Sequence, residues 1–147
     1  MINAGIYIGS TSLLDDTVFE ETVILITEYN EKGAMGFVVN KLFPRTFNEL
    51  QEFSHSKPFP LYEGGPVDQE HLFFVHRRPG LITGGALIAG NIYLGGDFKA
   101  AVKHINNGIL TEEDIRLFIG YCGWDFGELE AEIAEGSWQV LEEAKLF

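Results

Sequence analysis

The sequence predicts an α+β fold, in which a mostly antiparallel or mixed sheet is accompanied by a few short helices. Segments with strand character outnumber segments with helical periodicity, and the two kinds do not alternate as they do in a doubly wound sheet. An apolar fraction of 46% with 12 phenylalanines is sufficient for a packed core. The length of 147 residues then predicts a single domain, residues 1–147.

The N-terminal half is predicted to be built mainly from strands. The turn sequence Asn30–Gly33 predicts a hairpin between two of them, because β-branched and apolar residues flank it on both sides. A capping box formed by Thr46 and Glu49, followed by Leu50 and Phe53 on one face, predicts a short helix. The predicted strands of this half are 5–9, 22–29, 34–40 and 72–76.

The C-terminal half has the clearest helix. Asp97 has the character of an N-cap, apolar residues follow at helical spacing from Phe98 to Ile105, and Gly108 can end the helix. Asp125 and Glu128 form a second capping-box-like pair ahead of a short acidic helix. Strands are predicted within 81–94 (two short ones), at 115–122 and at 138–141.

Charge and cysteine content exclude several classes of protein. The net charge is −12, of which −8 falls in residues 111–147, so the sequence argues against direct binding to nucleic acid or to an anionic membrane. A single cysteine excludes an intrachain disulfide or a CxxC pair. Without a signal segment or an apolar run of about 20 residues, the expected location is the cytoplasm. The acidic C-terminal quarter is either a solvated face or a docking surface for a basic partner.

Motifs for nucleotide, metal and hydrolase chemistry are not found. The segment Gly85–Gly90 has the glycine spacing of a phosphate loop, but Asn91 and Ile92 stand where lysine and a hydroxyl residue are needed. His71 and His76 are five residues apart on a predicted strand, which places them on opposite faces. We therefore predict no metal site and no cofactor.

Three segments follow one another in a fixed order along the chain. They are Gly33–Asn40, Gly64–Val67 with the following Leu72–His76, and Gly120–Trp124 with the following Gly127–Ile133 and Ser137–Trp138. Together they resemble the YqgE/AlgH family of small bacterial proteins. The resemblance covers nearly the whole chain. It implies a compact α+β fold whose bent mixed sheet forms a partial barrel, and it brings no established activity or cofactor. Some members carry the label of transcriptional regulator.

The sequence departs from the family pattern at a few positions. Asn40-Lys41-Leu42 stands where the family prefers Asn-Arg-Pro, and Glu128 stands where glutamine is usual. A proline often found around residues 10–14 is absent.

The shared segments supply the candidate ligand-binding residues. Gly64, Gly65 and Pro66 form either a tight turn or a bend whose N–H groups bind an anion. The strand-to-helix junction at Cys122 could lower the pKa of its thiol, although the surrounding carboxylates oppose this. The residues predicted to bind a ligand are Gly64, Gly65, Pro66, Val67, Asn40, Gly123 and Trp124.

Two classes of function remain at this point. The leading hypothesis is a non-enzymatic regulatory protein that binds an unknown protein partner or small ligand near the glycine-rich turns. The alternative is a thiol-dependent enzyme or redox sensor that uses Cys122 with His76 or Tyr121 as its assistant. Direct DNA binding is disfavoured because no basic recognition helix is present. The sequence leaves the oligomeric state open.

Overall fold

Nine strands form one bent sheet in the computed structural model, which describes residues 2–147. The strands are β1 (Tyr7–Ser10), β2 (Val23–Asn30), β3 (Gly33–Val38), β4 (Leu61–Glu63), β5 (Val67–His76), β6 (Ala86–Ala89), β7 (Ile92–Leu94), β8 (Ile115–Asp125) and β9 (Trp138–Leu141). The helices are α1 (Phe98–Asn106) and α2 (Glu128–Ala134), and three short 3-10 turns lie at Ser12–Leu14, Phe47–Glu49 and Gln51–Phe53.

The sheet is mostly antiparallel and open. Its order is β6-β7-β5-β8-β3-β2-β1-β9, and β4 adds a parallel pair on β8. Within residues 2–147 the outer strands β6 and β9 do not pair with each other, so the sheet is not closed into a barrel. The predicted α+β class and bent, mostly antiparallel sheet are confirmed.

The long strand β8 organises the sheet because it pairs with three strands. Its first part lies between β4 and β5, and its last four residues, from Cys122 to Asp125, pair with β3. Gly120 lies near the changeover with φ +73°, and the register of β5 shifts between Val67 and Leu72 beside it. The resulting bend brings the segment from Gly64 to Val67 over Tyr121 and Cys122.

Side chains alternate along each strand between the two faces of the sheet, and different elements pack against each face. Leu117 on β8 packs with α1 and the turns around Phe47 and Phe53, whereas its neighbour Phe118 faces the opposite side. There Phe118 stacks on Phe37 with ring centroids 4.8 Å apart, and Leu146 of the C-terminal segment covers this face. A third cluster gathers α2, β1, β2 and β9 around the two tryptophans.

Most predicted elements form, and the exceptions have local causes. Residues 46–53 form two 3-10 turns instead of a helix, because Leu50 between them has extended backbone angles. The capping contact still forms, with the Thr46 N–H donating to the Glu49 carboxylate at 2.9 Å. Asp125 ends β8 instead of capping α2, and Gly127, with φ +83°, occupies the N-cap position.

Candidate functional site

The glycine-rich segments meet along one groove on the surface of the sheet. Three adjoining depressions of about 480, 220 and 500 Å³ make up this groove. Phe19 and Pro66 line both the first and the central depression, and Val67, Trp124 and Glu128 line both the central and the last. We call the whole the acidic groove and its central depression the aromatic pocket.

The turn at Gly64–Val67 is held against β8 by backbone contacts. The Gly64 N–H donates to the carbonyl of Ile119 at 2.8 Å, and the Gly64 carbonyl accepts from the Val38 N–H at 2.9 Å. A Cβ atom on Gly65 would lie 2.2 Å from the backbone of Tyr121, so this close approach requires glycine. The Gly64 N–H is therefore already bonded within the fold and is not free to bind an anion.

Asn40 positions one wall of the groove through the backbone of the loop before β2. Its Oδ1 accepts from the Val23 N–H and its Nδ2 donates to the Glu21 carbonyl, both at 2.9 Å. Lys41 Nζ donates to the carbonyl of Val18 in the same loop at 3.2 Å. These bonds hold the loop that places Phe19 at the groove, so Asn40 acts in the structure as a loop anchor.

The walls of the aromatic pocket are Phe19, Trp124 and Trp138. Phe19 meets Trp138 edge-on at 5.6 Å between centroids, and Trp124 meets Trp138 edge-on at 6.3 Å. Both indole N–H groups donate to Oε1 of Glu132 at 3.0 Å. The neighbouring carboxylate of Glu128 accepts the N–H of Asp125. The pocket thus combines aromatic walls with two carboxylates.

Cys122 lines the aromatic pocket but is almost fully buried. Its side chain is 2% exposed, and Sγ donates to the Gly64 carbonyl at 3.5 Å. Burial raises the pKa of the thiol to about 12. The thiolate that a nucleophile or redox sensor requires is therefore disfavoured in this environment.

Of the two proposed assistants of Cys122, His76 lies outside the acidic groove, whereas Tyr121 lines its depression of about 500 Å³. His76 pairs with Ile115, seven residues before Cys122 and roughly 20 Å away along β8. Its ring is fully buried and bonded to the Gly95 carbonyl and the Arg78 N–H, and burial lowers the pKa of the imidazole. Tyr121 faces the opposite side of β8, where it packs edge-on against Phe73. The structure brings none of the three together as a catalytic group.

Carboxylates dominate the charge of the acidic groove. Five acidic side chains line it, against two lysines, Lys32 and Lys41. The acids are Glu28, Glu63, Asp125, Glu128 and Glu132. No basic side chain among residues 2–147 lines the aromatic pocket itself. The groove is therefore suited to a cationic occupant and unfavourable for phosphate groups.

Of the seven residues that the sequence predicts to bind a ligand, five line the groove, namely Gly65, Pro66, Val67, Gly123 and Trp124. Sequence reasoning missed Phe19, which lies in an irregular acidic loop where no periodicity marks a residue as part of a site. Glu132 was counted only among the carboxylates around Cys122, although two tryptophans on the same short stretch were a signal for a buried acceptor.

The described residues include neither a cluster of metal-ligating side chains nor a membrane-spanning helix. Across residues 2–147, no group of three or more His, Cys, Asp or Glu side chains is placed to hold a metal ion. Neither helix in this described part is long and apolar enough to cross a membrane.

Comparison with known proteins assigns the family. The profile of the AlgH-like family matches residues 6–147. The chain belongs to the AlgH-like family. A UPF0301 protein of Bacteroides thetaiotaomicron is 35% identical over 94% of this chain and 70% of its own length. Another from Chlorobium luteolum is 38% identical over 92% of this chain and 71% of its own length.

Two solved structures share the AlgH-like fold. The solution structure of the AlgH protein from Pseudomonas aeruginosa superposes with a TM-score of 0.76 at 26% identity, covering 96% of this chain and 77% of that one. The crystal structure of protein DIP2367 from Corynebacterium diphtheriae gives a TM-score of 0.77 at 24% identity, covering 98% and 78%. None of these names states an activity. A function for this chain must therefore be inferred from the geometry of the groove.

Proposed function

We propose that this AlgH-like protein is a non-enzymatic regulatory protein of the cytoplasm that binds a basic segment of a partner protein in the acidic groove. The observation that carries the proposal is the meeting of the family's glycine-rich segments at a concave surface with five carboxylates and two lysines. Complementary charge would steer a cationic segment to this surface and orient it there.

Two further observations support binding over catalysis. The single thiol is buried with a pKa raised to about 12, and His76 and Tyr121 are each directed away from it. The polar atoms of Asn40 and Gly64 are used to hold the walls of the groove in place. A wall that is fixed before binding loses less conformational entropy when the partner arrives.

The test uses short lysine- and arginine-rich peptides and fluorescence anisotropy at several salt concentrations. Wild-type protein should bind them with an affinity that falls as salt rises. The double variant Glu63→Gln, Asp125→Asn removes two charges from the groove outside the aromatic pocket and should weaken binding about threefold to tenfold.

The matched control is Glu112→Gln, Glu113→Gln, which removes the same charge from exposed positions outside the groove. It should change affinity far less, because screening limits distant charges. Failure of every basic peptide to bind the wild type, or equal losses in the two double variants, would refute a groove that binds basic segments.

A further inference from the structure

The aromatic pocket is lined by two carboxylates, Glu128 and Glu132, and by no basic side chain among residues 2–147. Oε1 of Glu132 accepts both indole N–H groups, and Oε1 of Glu128 accepts the N–H of Asp125. The second oxygen of each carboxylate accepts no hydrogen bond from residues 2–147. One oxygen of each carboxylate is thus held by the protein, and the other is open to a ligand beside a cavity of about 220 Å³.

The aromatic rings around this cavity stand at steep angles to one another. The planes of Phe19 and Trp138 make 66°, and those of Trp124 and Trp138 make 83°. In each of these contacts the edge of one ring meets the face of the other, and all three residues line the cavity although Trp124 and Trp138 are only 9% and 3% exposed. The faces of aromatic rings, tryptophan above all, attract cations, and the attraction grows when the cation is desolvated.

The donor set selects among cations. A divalent metal ion needs more ligands than two monodentate carboxylates provide, and the nearby thiol is protonated. A guanidinium group binds best to a carboxylate with both oxygens free, which neither Glu128 nor Glu132 offers. A compact ammonium on an apolar stem satisfies one oxygen from each carboxylate and places its stem against the rings.

We propose that the aromatic pocket is a recognition site for one alkylammonium group, supplied by a lysine side chain of the bound partner. This inference rests on the proposed function, since the lysine would belong to the basic segment that lies in the acidic groove. The pocket occupies the centre of the groove, where Phe19 and Pro66 also line the neighbouring depression, so a segment along the groove can insert one side chain there.

The protein provides its own probe for this site. Both tryptophans of the chain line the pocket, so every indole N–H signal reports on it. Wild-type protein labelled with ¹⁵N is titrated with N-acetyl-lysine-methylamide while the two indole cross-peaks are followed. The neutral analogue N-acetyl-norleucine-methylamide has a similar stem without the charge, and the corresponding arginine derivative tests the guanidinium.

The expected result is a saturable shift of both cross-peaks with lysine, at least about tenfold weaker binding of the arginine derivative, and no saturable shift with norleucine. Choline chloride tests whether the ammonium group in the pocket comes from a lipid headgroup instead of a lysine. Choline should bind more weakly than lysine because its quaternary ammonium cannot donate a hydrogen bond to the carboxylates. Norleucine or choline shifting the peaks as strongly as lysine would overturn the assignment.

Variants separate the pocket from the rest of the groove. Glu128→Gln keeps the acceptor for the Asp125 N–H and removes one charge, and together with Glu132→Gln it should weaken lysine binding about tenfold. Glu132 also contacts both indoles, so Phe19→Leu provides an independent test in which one ring is lost and every charge is kept. Glu112→Gln, Glu113→Gln is again the matched control.

The outcomes distinguish the two proposals. If lysine does not shift the indole peaks, but basic peptides bind and respond to Glu63→Gln, Asp125→Asn, the pocket assignment is wrong and the groove proposal stands. If neither lysine nor any basic peptide binds, both are wrong. Lysine binding that is unchanged in the pocket variants would also overturn the pocket assignment.

Discussion

Replacing Gly120 with alanine should destabilise the protein severely, because this residue allows β8 to bend beneath the groove. Its φ of +73° costs an L-residue about 1–2 kcal/mol. An added Cβ would also lie 2.3 Å from the Gly65 carbonyl oxygen and 2.9 Å from that of Val67, both of which are backbone atoms. To relieve this clash, β8 must move away from the Gly64–Val67 segment. That movement breaks at least one hydrogen bond, worth about 1 kcal/mol, and loses some packing. The total is about 3 kcal/mol or more, a large share of a typical stability of about 5–15 kcal/mol.

Gly90→Ala is the matched control. Its φ is +56°, but a Cβ there meets nothing within 4 Å, so only the conformational cost of about 1 kcal/mol remains. Urea unfolding followed by tryptophan fluorescence gives both free energies of unfolding, and thermal melts should shift by about 2–4 °C for the control and about 6–12 °C for Gly120→Ala. Equal losses in the two variants would refute the close approach of the Gly64–Val67 turn to β8.

Three other predictions test the buried thiol, the C-terminal cover and one ion pair. The pKa of Cys122 is raised from 9.0 to about 12, so alkylation of the folded protein at pH 8 should be about 1000-fold slower than in urea; a fast reaction with a midpoint near pH 8.5 would contradict this. Leu146→Ala should lower the free energy of unfolding by about 2–4 kcal/mol, because Leu146 is 6% exposed; a loss below about 1 kcal/mol would show that the cover is not packed. Burial alone raises the pKa of Asp114, but the Thr111 N–H and the Arg78 guanidinium at 3.0 Å outweigh it, and the pKa is lowered. Asp114→Asn should therefore cost about 1 kcal/mol at pH 7, with the difference from wild type shrinking as pH falls below about 4; a difference independent of pH in acid titrations would refute this.

The parts of the fold that the sequence predicted are those with a local signature. The hairpin around Asn30–Gly33, the helix after Asp97 and the buried strand from Ile115 all form, since turn chemistry, capping and apolar periodicity each act within a few residues. The structure extends β5 back to Val67, which pairs with Tyr121 of β8, whereas the polar and exposed residues 68–71 lie in a register shift between Val67 and Leu72. β4 was missed because its three residues become a strand through long-range pairing, with β8 on one side and with Leu42 on the other. Pairing between distant segments overrides local preference.

The same distinction applies to the candidate site. Pro66 and Trp124 were identified because they belong to segments with a family resemblance, and the bend at Gly120 brings those segments together. Phe19 reaches the pocket through a loop that Asn40 holds by side-chain bonds to the backbone. No pattern within the loop contains that information, because the contact depends on a residue some twenty positions away.

The acidity of the C-terminal quarter of the chain is explained in part by the groups with which its carboxylates form hydrogen bonds. Of the two readings of this segment, a solvated face predicts acids that contact only water. The structure instead uses several of them internally: Glu130 bonds to Tyr29, Glu132 to both indoles and Asp114 to Arg78. A carboxylate held by two indole N–H groups is oriented before any ligand arrives, so its remaining oxygen can contribute to binding without first losing side-chain freedom. Glu128, one of the positions where the sequence departs from the pattern of the family that it resembles, adds its charge at the same pocket. Glutamine at position 128 could still accept the Asp125 N–H but would carry no charge. The charge of Glu128 is therefore best explained by attraction of a cation in the proposed site, and Glu128→Gln measures that contribution directly.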